Sequence, residues 1–390
     1  MILSRTVNNL KESDSFRVLS YAKQLERQGK EIIHFEIGEP DFDTDSKVKE
    51  ALLEALNKGE THYTASQGIL SLREEISRYE KNFRNIDVSP DNVVITPGGK
   101  PILLFVLMAI LNDGDNVLLP SPGYLSYASL VRFAGGQPIY YSINVEERNT
   151  IDPDEIKSKI TRRTKAIIIN YPSNPTGKMA SATDLLEILE IARDRKILII
   201  SDEVYSRITY EKEHISITRM AEKDDKGLLV IVDGFSKTYA MTGWRLGWGV
   251  LPDVLVKPVV KIIQNSISCV PPFVQYAGIV ALKEGDDFVK KMVTEFRKRR
   301  DVIYDILQES DRLFIPKPEG AFYFFPRILD LKMSSVEFTK GLLEKYGVAM
   351  LPGSAFGPTG EGHIRISFAN SLENLQKGAE FLLKYLKEIK

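Results

Sequence analysis

The stretch Gly234-Phe235-Ser236-Lys237-Thr238-Tyr239-Ala240-Met241-Thr242-Gly243-Trp244-Arg245-Leu246-Gly247 places one lysine eight residues before one arginine, among small and hydroxyl residues. Ahead of it runs Leu228-Leu229-Val230-Ile231-Val232, a short apolar run that reads as a buried strand. A lysine just past such a strand sits where α/β proteins put their chemistry, beyond the carboxyl ends of the sheet. Lysine amines attack carbonyls when the site lowers their pKa, and a Schiff base is the usual product. The arginine downstream can fork onto a phosphate. A carbonyl-reactive lysine beside a phosphate-binding arginine points to pyridoxal 5′-phosphate. A surface lysine after a strand is the plainer alternative for Lys237 alone.

Strand-like runs alternate with helix-like runs on both sides of this stretch. Val93-Val94-Ile95 precedes a helix-like Pro101–Leu111. Strand-like Asn116–Leu119, Pro138–Ile143 and Ala166–Asn170 follow, then a helix-like Ala182–Asp194. Ile197–Ser201, Leu228–Val232 and Gly247–Leu251 read as further strands. This alternation predicts an α/β domain with a mostly parallel sheet between helices, over 46–285. The C-terminal part differs. A long amphipathic helix is expected over Phe288–Gln308, then a strand at Ala321–Pro326 and a helix at Ser335–Tyr346. A strand at His363–Phe368 and a last helix at Leu372–Ile389 complete it. These give a smaller α+β domain over 286–390.

Composition narrows the function. The chain has 390 residues, 43% of them apolar, enough for one large or two moderate cores. Its net charge of -1, without a basic block, gives nucleic acid nothing to bind. Cys269 is the only cysteine, so no intrachain disulfide forms, which fits a reducing compartment. Met1-Ile2-Leu3-Ser4-Arg5 has no signal-peptide core, and Ile102–Leu111 is too short to span a bilayer. The expectation is a cytoplasmic protein with no membrane contact. The four histidines and one cysteine show no metal-ligand spacing.

Pyridoxal phosphate needs a lysine, a phosphate cradle, a partner for its ring nitrogen and a platform for its ring. Thr96-Pro97-Gly98-Gly99-Lys100 follows a strand and opens a helix, where glycines and free N–H groups favour an anion. Asp202, in Ile199-Ile200-Ser201-Asp202-Glu203-Val204-Tyr205, is a carboxylate at the end of a buried strand. Such a group is costly unless paired, and a protonated pyridinium would pair it. A helix N-cap would explain Asp202 equally well on position alone. Asn170-Tyr171-Pro172-Ser173-Asn174-Pro175-Thr176-Gly177 closes another strand, and Ser121-Pro122-Gly123-Tyr124 offers an aromatic platform. Arg365, in His363-Ile364-Arg365-Ile366-Ser367-Phe368, could grip a carboxylate or simply face water.

These motifs, in this order, resemble the class I aminotransferases, pyridoxal phosphate enzymes of fold type I, from about residue 30 to residue 370. The resemblance implies a covalent cofactor on Lys237, and phosphate contacts from Gly99, Lys100, Ser236 and Arg245. It implies Asp202 on the ring nitrogen, Asn174 and Tyr205 near the phenolic oxygen, and Tyr124 stacked on the ring. Glu203 points away. Gly38, in Ile37-Gly38-Glu39-Pro40-Asp41-Phe42, and Arg365 would take the substrate's α-carboxylate, with Asn174 and Tyr124 close by. Tyr63, in Thr61-His62-Tyr63-Thr64, resembles a tyrosine that reaches a neighbouring subunit's phosphate, so a homodimer is implied. The first 45 or so residues, 1–45, would join the small domain. Pro101 stands where the family carries glutamine, and Gly123 and Tyr124 vary from its aromatic pair.

The implied activity is amino transfer between an amino acid and a 2-oxo acid, in two ping-pong halves. In some aspartate aminotransferases of this family a lysine at the place of Lys100 meets a distal carboxylate, with Ser15 nearby. Aspartate and glutamate are therefore the expected donors, with 2-oxoglutarate and oxaloacetate as acceptors. Alanine or aromatic donors, or a lyase of the same fold, are the alternatives. Some transcription regulators carry this fold behind a DNA-binding domain of about 70 residues. With the first motif beginning near residue 35, a regulator of that kind is not expected.

Overall fold

The structure is a computed structural model that describes residues 7–8, 14–145 and 151–389. The reading of Met1–Arg5 lies outside these residues. Seven strands form the large sheet: β1 Val93–Thr96, β2 Asn116–Ser121, β3 Gln137–Ser142, β4 Thr164–Asn170, β5 Leu198–Asp202, β6 Leu229–Gly234 and β7 Gly247–Val250. Their order across the sheet is β1-β7-β6-β5-β4-β2-β3. All neighbouring pairs are parallel except those made by β7, which runs antiparallel to both β1 and β6.

The strands read as unbroken apolar runs because both faces of the sheet are covered. Side chains alternate between the faces. Ile168, Ile200 and Val230 pack with Ile102, Phe105 and Val106 from the helix Gly99–Ile110. Ile167, Ile169 and Ile199 pack with Leu185, Ile188 and Leu189 from the helix Ala182–Arg195. Ser181 starts that second helix with a reciprocal capping box to Asp184.

The topology puts the carboxyl ends of β1, β4, β5 and β6 along one edge. Those ends carry, in turn, Thr96 before the Gly98-Gly99 turn, Asn170, Asp202, and Gly234 before Lys237. The register sets Asn170 opposite Asp202, and Asp202 opposite Val232.

A second core gathers Phe296, Phe322, Phe324, Phe338 and Phe368. Here Ile364–Ser367 is the middle strand, antiparallel to Tyr323–Phe324 on one side and Leu351–Pro352 on the other. Ile33–His34 pairs in parallel with Val348–Ala349. These pairings bring Gly38 and Arg365 to the edge of the large sheet. The strand expected over Ala321–Pro326 is confined to Tyr323–Phe324, since Ala321 turns with a φ of 54°. Among the described residues, no helix is long and apolar enough to cross a membrane.

Candidate active site

A cavity of about 310 Å³ opens at the carboxyl edge of the sheet. Its wall includes Lys237 and Ser236 from the turn after β6, and Asp202 and Tyr205 from the end of β5. Asn174 comes from the loop after β4, and Gly99 and Lys100 from the helix start after β1. Arg245, Tyr124, Gly38 and Arg365 complete the set expected from the sequence, and Ser15 also lines the wall. Tyr63 is not among them. It stands 89% exposed on the surface of its own chain.

Lys237 sits in a four-residue helix, Phe235–Thr238, directly after β6. Its Nζ donates to the Gly38 carbonyl at 2.7 Å. Burial, aided by the positive charges of Arg365, Arg245 and Lys100, pulls its ammonium down to about 8, against the pull of Glu39. At pH 7 about a tenth of Lys237 is therefore the free amine that attacks carbonyls, far more than of a surface lysine.

The anion cradle is built at the start of the helix Gly99–Ile110. Gly98 has a φ of 92°, and a side chain there would meet Arg245 Nη2 at 2.5 Å. Only glycine fits that turn without strain. Arg245 is pinned by two carbonyls, Thr242 O at 2.7 Å and Pro97 O at 2.9 Å. Pro101 enters the first helical turn without interrupting it. A guanidinium and the N–H groups of a helix start thus face the same space.

Asp202 is 5% exposed and has no Lys or Arg partner among the described residues. Tyr127 donates to its Oδ2 at 2.7 Å, and the Val204 N–H lies 3.4 Å from its Oδ1. Burial outweighs these donors and lifts the carboxyl to about 6. Asn170 Nδ2 holds the Asp202 carbonyl at 2.9 Å, and Asn170 Oδ1 takes the Asn174 N–H at 2.9 Å. This fixes Asn174 against the strand end. Tyr127, three residues after Tyr124, belongs to none of the motifs read from the sequence. Only the folded helix Ser126–Phe133 turns it onto Asp202.

Glu203, one residue on, does point away. It joins a closed cluster with Arg84 Nε at 2.9 Å, His214 Nε2 at 2.8 Å and the hydroxyls of Ser201 and Ser216. Burial alone would raise its carboxyl, but His214 and Arg84 hold it at about 2. Arg84 also grips both oxygens of Glu80 at 2.9 Å and bonds Asp233. Glu203 follows Asp202, and Asp233 lies four residues before Lys237. One buried guanidinium therefore ties together the two strand ends that carry the site. Removing one partner from such a buried cluster costs about 3–5 kcal/mol.

Arg365 is 3% exposed. Its Nη2 donates to the Glu36 carbonyl at 2.5 Å and its Nη1 to Asn174 Oδ1 at 3.3 Å. Its Nε is buried without a partner, and no carboxylate pairs with it among the described residues. Its guanidinium lies over the rings of Tyr323 and Phe356, at 4.5 and 5.2 Å from their centroids. The cavity therefore holds a buried carboxylate without a cation and a buried guanidinium without an anion. Such groups match a ligand set that brings a cationic ring, a phosphate and a carboxylate, the charges of pyridoxal phosphate with an amino acid.

The family model "Aminotransferase class I and II" matches residues 30–382. A probable aspartate aminotransferase of Methanocaldococcus jannaschii is 39% identical and is covered, like this chain, over 100% of its length. Aromatic-amino-acid aminotransferase 2 of Thermococcus litoralis is 38% identical, again over 100% of both chains. The solved aspartate aminotransferase from Thermus thermophilus with maleate superposes with a TM-score of 0.94 at 35% identity. That match covers 99% of this chain and 100% of the other.

The depressed Lys237 ammonium gives a test that needs no cofactor. Reductive methylation of the protein with formaldehyde, read peptide by peptide across pH, should label Lys237 with a midpoint near pH 8. Surface lysines should follow near the ordinary value of about 10.4. A Lys237 that titrates with the surface lysines would contradict the site described.

Proposed function

The chain belongs to the class I and II aminotransferases, enzymes that move an amino group between an amino acid and a 2-oxo acid, and from that premise we propose its cofactor and substrates. The cofactor is pyridoxal 5′-phosphate held covalently by Lys237. The substrates are aspartate and glutamate, with oxaloacetate and 2-oxoglutarate as acceptors. The observation that supports this most is the convergence of Lys237, Asp202 and Arg365 on one cavity, with both buried charges left unpaired.

The bound cofactor would supply an electron sink for the substrate's α-carbon. The chain's own residues do the rest. Gly99, Lys100, Ser236 and Arg245 hold the phosphate through helix N–H groups, a hydroxyl and a guanidinium. Asp202 keeps a proton on the ring nitrogen, because a buried carboxylate is stabilised by a cation beside it. Tyr205 and Asn174 direct hydrogen bonds to the phenolic oxygen, and Tyr124 covers the ring face. Arg365 forks onto the α-carboxylate beside the Gly38 backbone, which orients the amino acid. Once the substrate's amino group has taken its place, the freed Lys237 Nζ would take the α-proton and return it, as a general base and acid.

Lys100 supports the choice of acidic substrates. It lines the cavity, its Nζ is 5.6 Å from the Tyr124 ring centroid, and no carboxylate pairs with it among the described residues. A second carboxylate on the substrate would find a free cation there. Phe16, exposed beside Ser15 on the same wall, favours an aromatic donor as the second reading.

A panel of amino donors and 2-oxo acceptors decides between these readings. Borohydride reduction of the loaded enzyme should place the cofactor on Lys237, and Lys237→Ala should end turnover. Adduct on another lysine would reject the cofactor assignment. Lys100→Ala should raise KM for aspartate about 2- to 5-fold, the effect of one partly solvated charge contact, and leave alanine nearly unchanged. Equal losses for both donors would assign Lys100 to the cofactor and remove the case for aspartate.

The exposure of Tyr63 supports a shared site in a homodimer, with Tyr63 reaching the neighbouring phosphate. Light scattering should find a dimer at assay concentration. Tyr63→Phe should weaken cofactor retention about tenfold or more, the worth of one charge-assisted hydrogen bond. A fully active monomer would refute this arrangement.

A further inference from the structure

Tyr323 lies outside the motifs read from the sequence, yet it joins three parts of the site. It is fully buried and lines the cavity. Its hydroxyl lies 2.8 Å from the Tyr205 hydroxyl. A side chain at Gly38 would come within 2.6 Å of the same oxygen, so the glycine leaves room for it. The Gly38 carbonyl in turn accepts from Lys237 Nζ. The ring of Tyr323 does something else: it carries the Arg365 guanidinium at 4.5 Å from its centroid.

We propose that Tyr323 is a positioning residue with two separable halves. Its hydroxyl donates to Tyr205 and frees the Tyr205 proton for the cofactor, while its ring sets the plane of Arg365 for the α-carboxylate. The inference rests on the cofactor and substrate reading above.

The hydroxyl half follows from proton counting. Each tyrosine has one proton to donate. If Tyr205 spends its proton on an oxygen in the cavity, the bond between the two hydroxyls must run from Tyr323 to Tyr205. A hydroxyl that accepts one hydrogen bond donates a stronger one, so the pair acts as a polarised chain. The ring half follows from Arg365 being buried without an ion pair. Two terminal N–H groups are fixed by the Glu36 carbonyl and Asn174, and the face is fixed by Tyr323 and Phe356. A guanidinium locked in plane keeps its remaining N–H groups ready for an in-plane carboxylate.

Two variants separate the halves. Tyr323→Phe keeps the ring and removes the oxygen; Tyr323→Leu removes both. The readouts are the pH at which the bound cofactor's absorbance titrates and the Kd for succinate, a dicarboxylate that does not react. A donor on the phenolic oxygen favours its anionic form and lowers the titration pH, so weakening that donor raises it. Tyr323→Phe should raise the titration by about 0.1 to 0.6 pH unit, the cooperative share of the Tyr205 hydrogen bond, and leave the succinate Kd within about twofold. Tyr323→Leu should show the same rise and also weaken succinate about 3- to 10-fold, through loss of the cation–π contact. An unmoved titration in Tyr323→Phe would overturn the hydroxyl role. Wild-type succinate affinity in Tyr323→Leu would overturn the ring role. A Tyr323→Phe protein that loses both together would overturn their separation. Wild-type protein that takes up no cofactor would overturn the parent reading, and this inference with it.

Discussion

Two buried charges without protein counter-charges govern this structure. Asp202 ends β5 with only a tyrosine hydroxyl and a distant N–H on its oxygens. Arg365 sits in the middle strand of the second sheet with a buried Nε that meets nothing. Each costs stability as it stands, because a buried ion is expensive unless paired. Neither meets an opposite charge among the described residues. Arg84 is committed to Glu80, Glu203 and Asp233, and the strand ends it ties down leave Asp202 alone at the cavity. Stability is given up at the two places where an amino acid and its cofactor would restore it.

Asp202 and Glu203 show how far local surroundings separate neighbouring carboxylates. Successive side chains on a strand point to opposite sides. One enters a cavity and its carboxyl rises to about 6; the other enters the Arg84–His214 cluster and falls to about 2. Lys237 follows the same logic with the opposite charge. Desolvation and three neighbouring cations favour its neutral form, which is the form that attacks a carbonyl.

Much of the fold could be read in advance. The apolar runs at Val93–Ile95, Ala166–Asn170 and Leu228–Val232 are strands buried on both faces, and such runs are visible without any partner. Strand ends set Gly99, Asn174, Asp202 and Lys237 beyond the sheet, and the resemblance to class I aminotransferases gathered them into one site. Other elements left no such trace. The helix Asp253–Gln264 contains Pro258, which masks its pattern, and Pro272–Glu284 is apolar on several sides. Tyr127, Tyr323 and Arg84 act through contacts 75, 118 and 119 residues away, to Asp202, Tyr205 and Glu203. No local spacing encodes those contacts; they exist only once the strands are aligned. Tyr63 stands exposed on its own chain, away from the cavity wall.

The most direct measurement concerns the pairing of Asp202 with a cationic ring. The protein would be loaded with pyridoxal 5′-phosphate carrying a nitrogen-15 label in its ring, and the nitrogen resonance followed with pH. In the wild-type enzyme the resonance should stay at the protonated position through neutral pH and above. In a folded Asp202→Ala protein it should move to the neutral position over the same range. The protonated resonance in both proteins would contradict the pairing, and with it the reason for leaving Asp202 buried and alone.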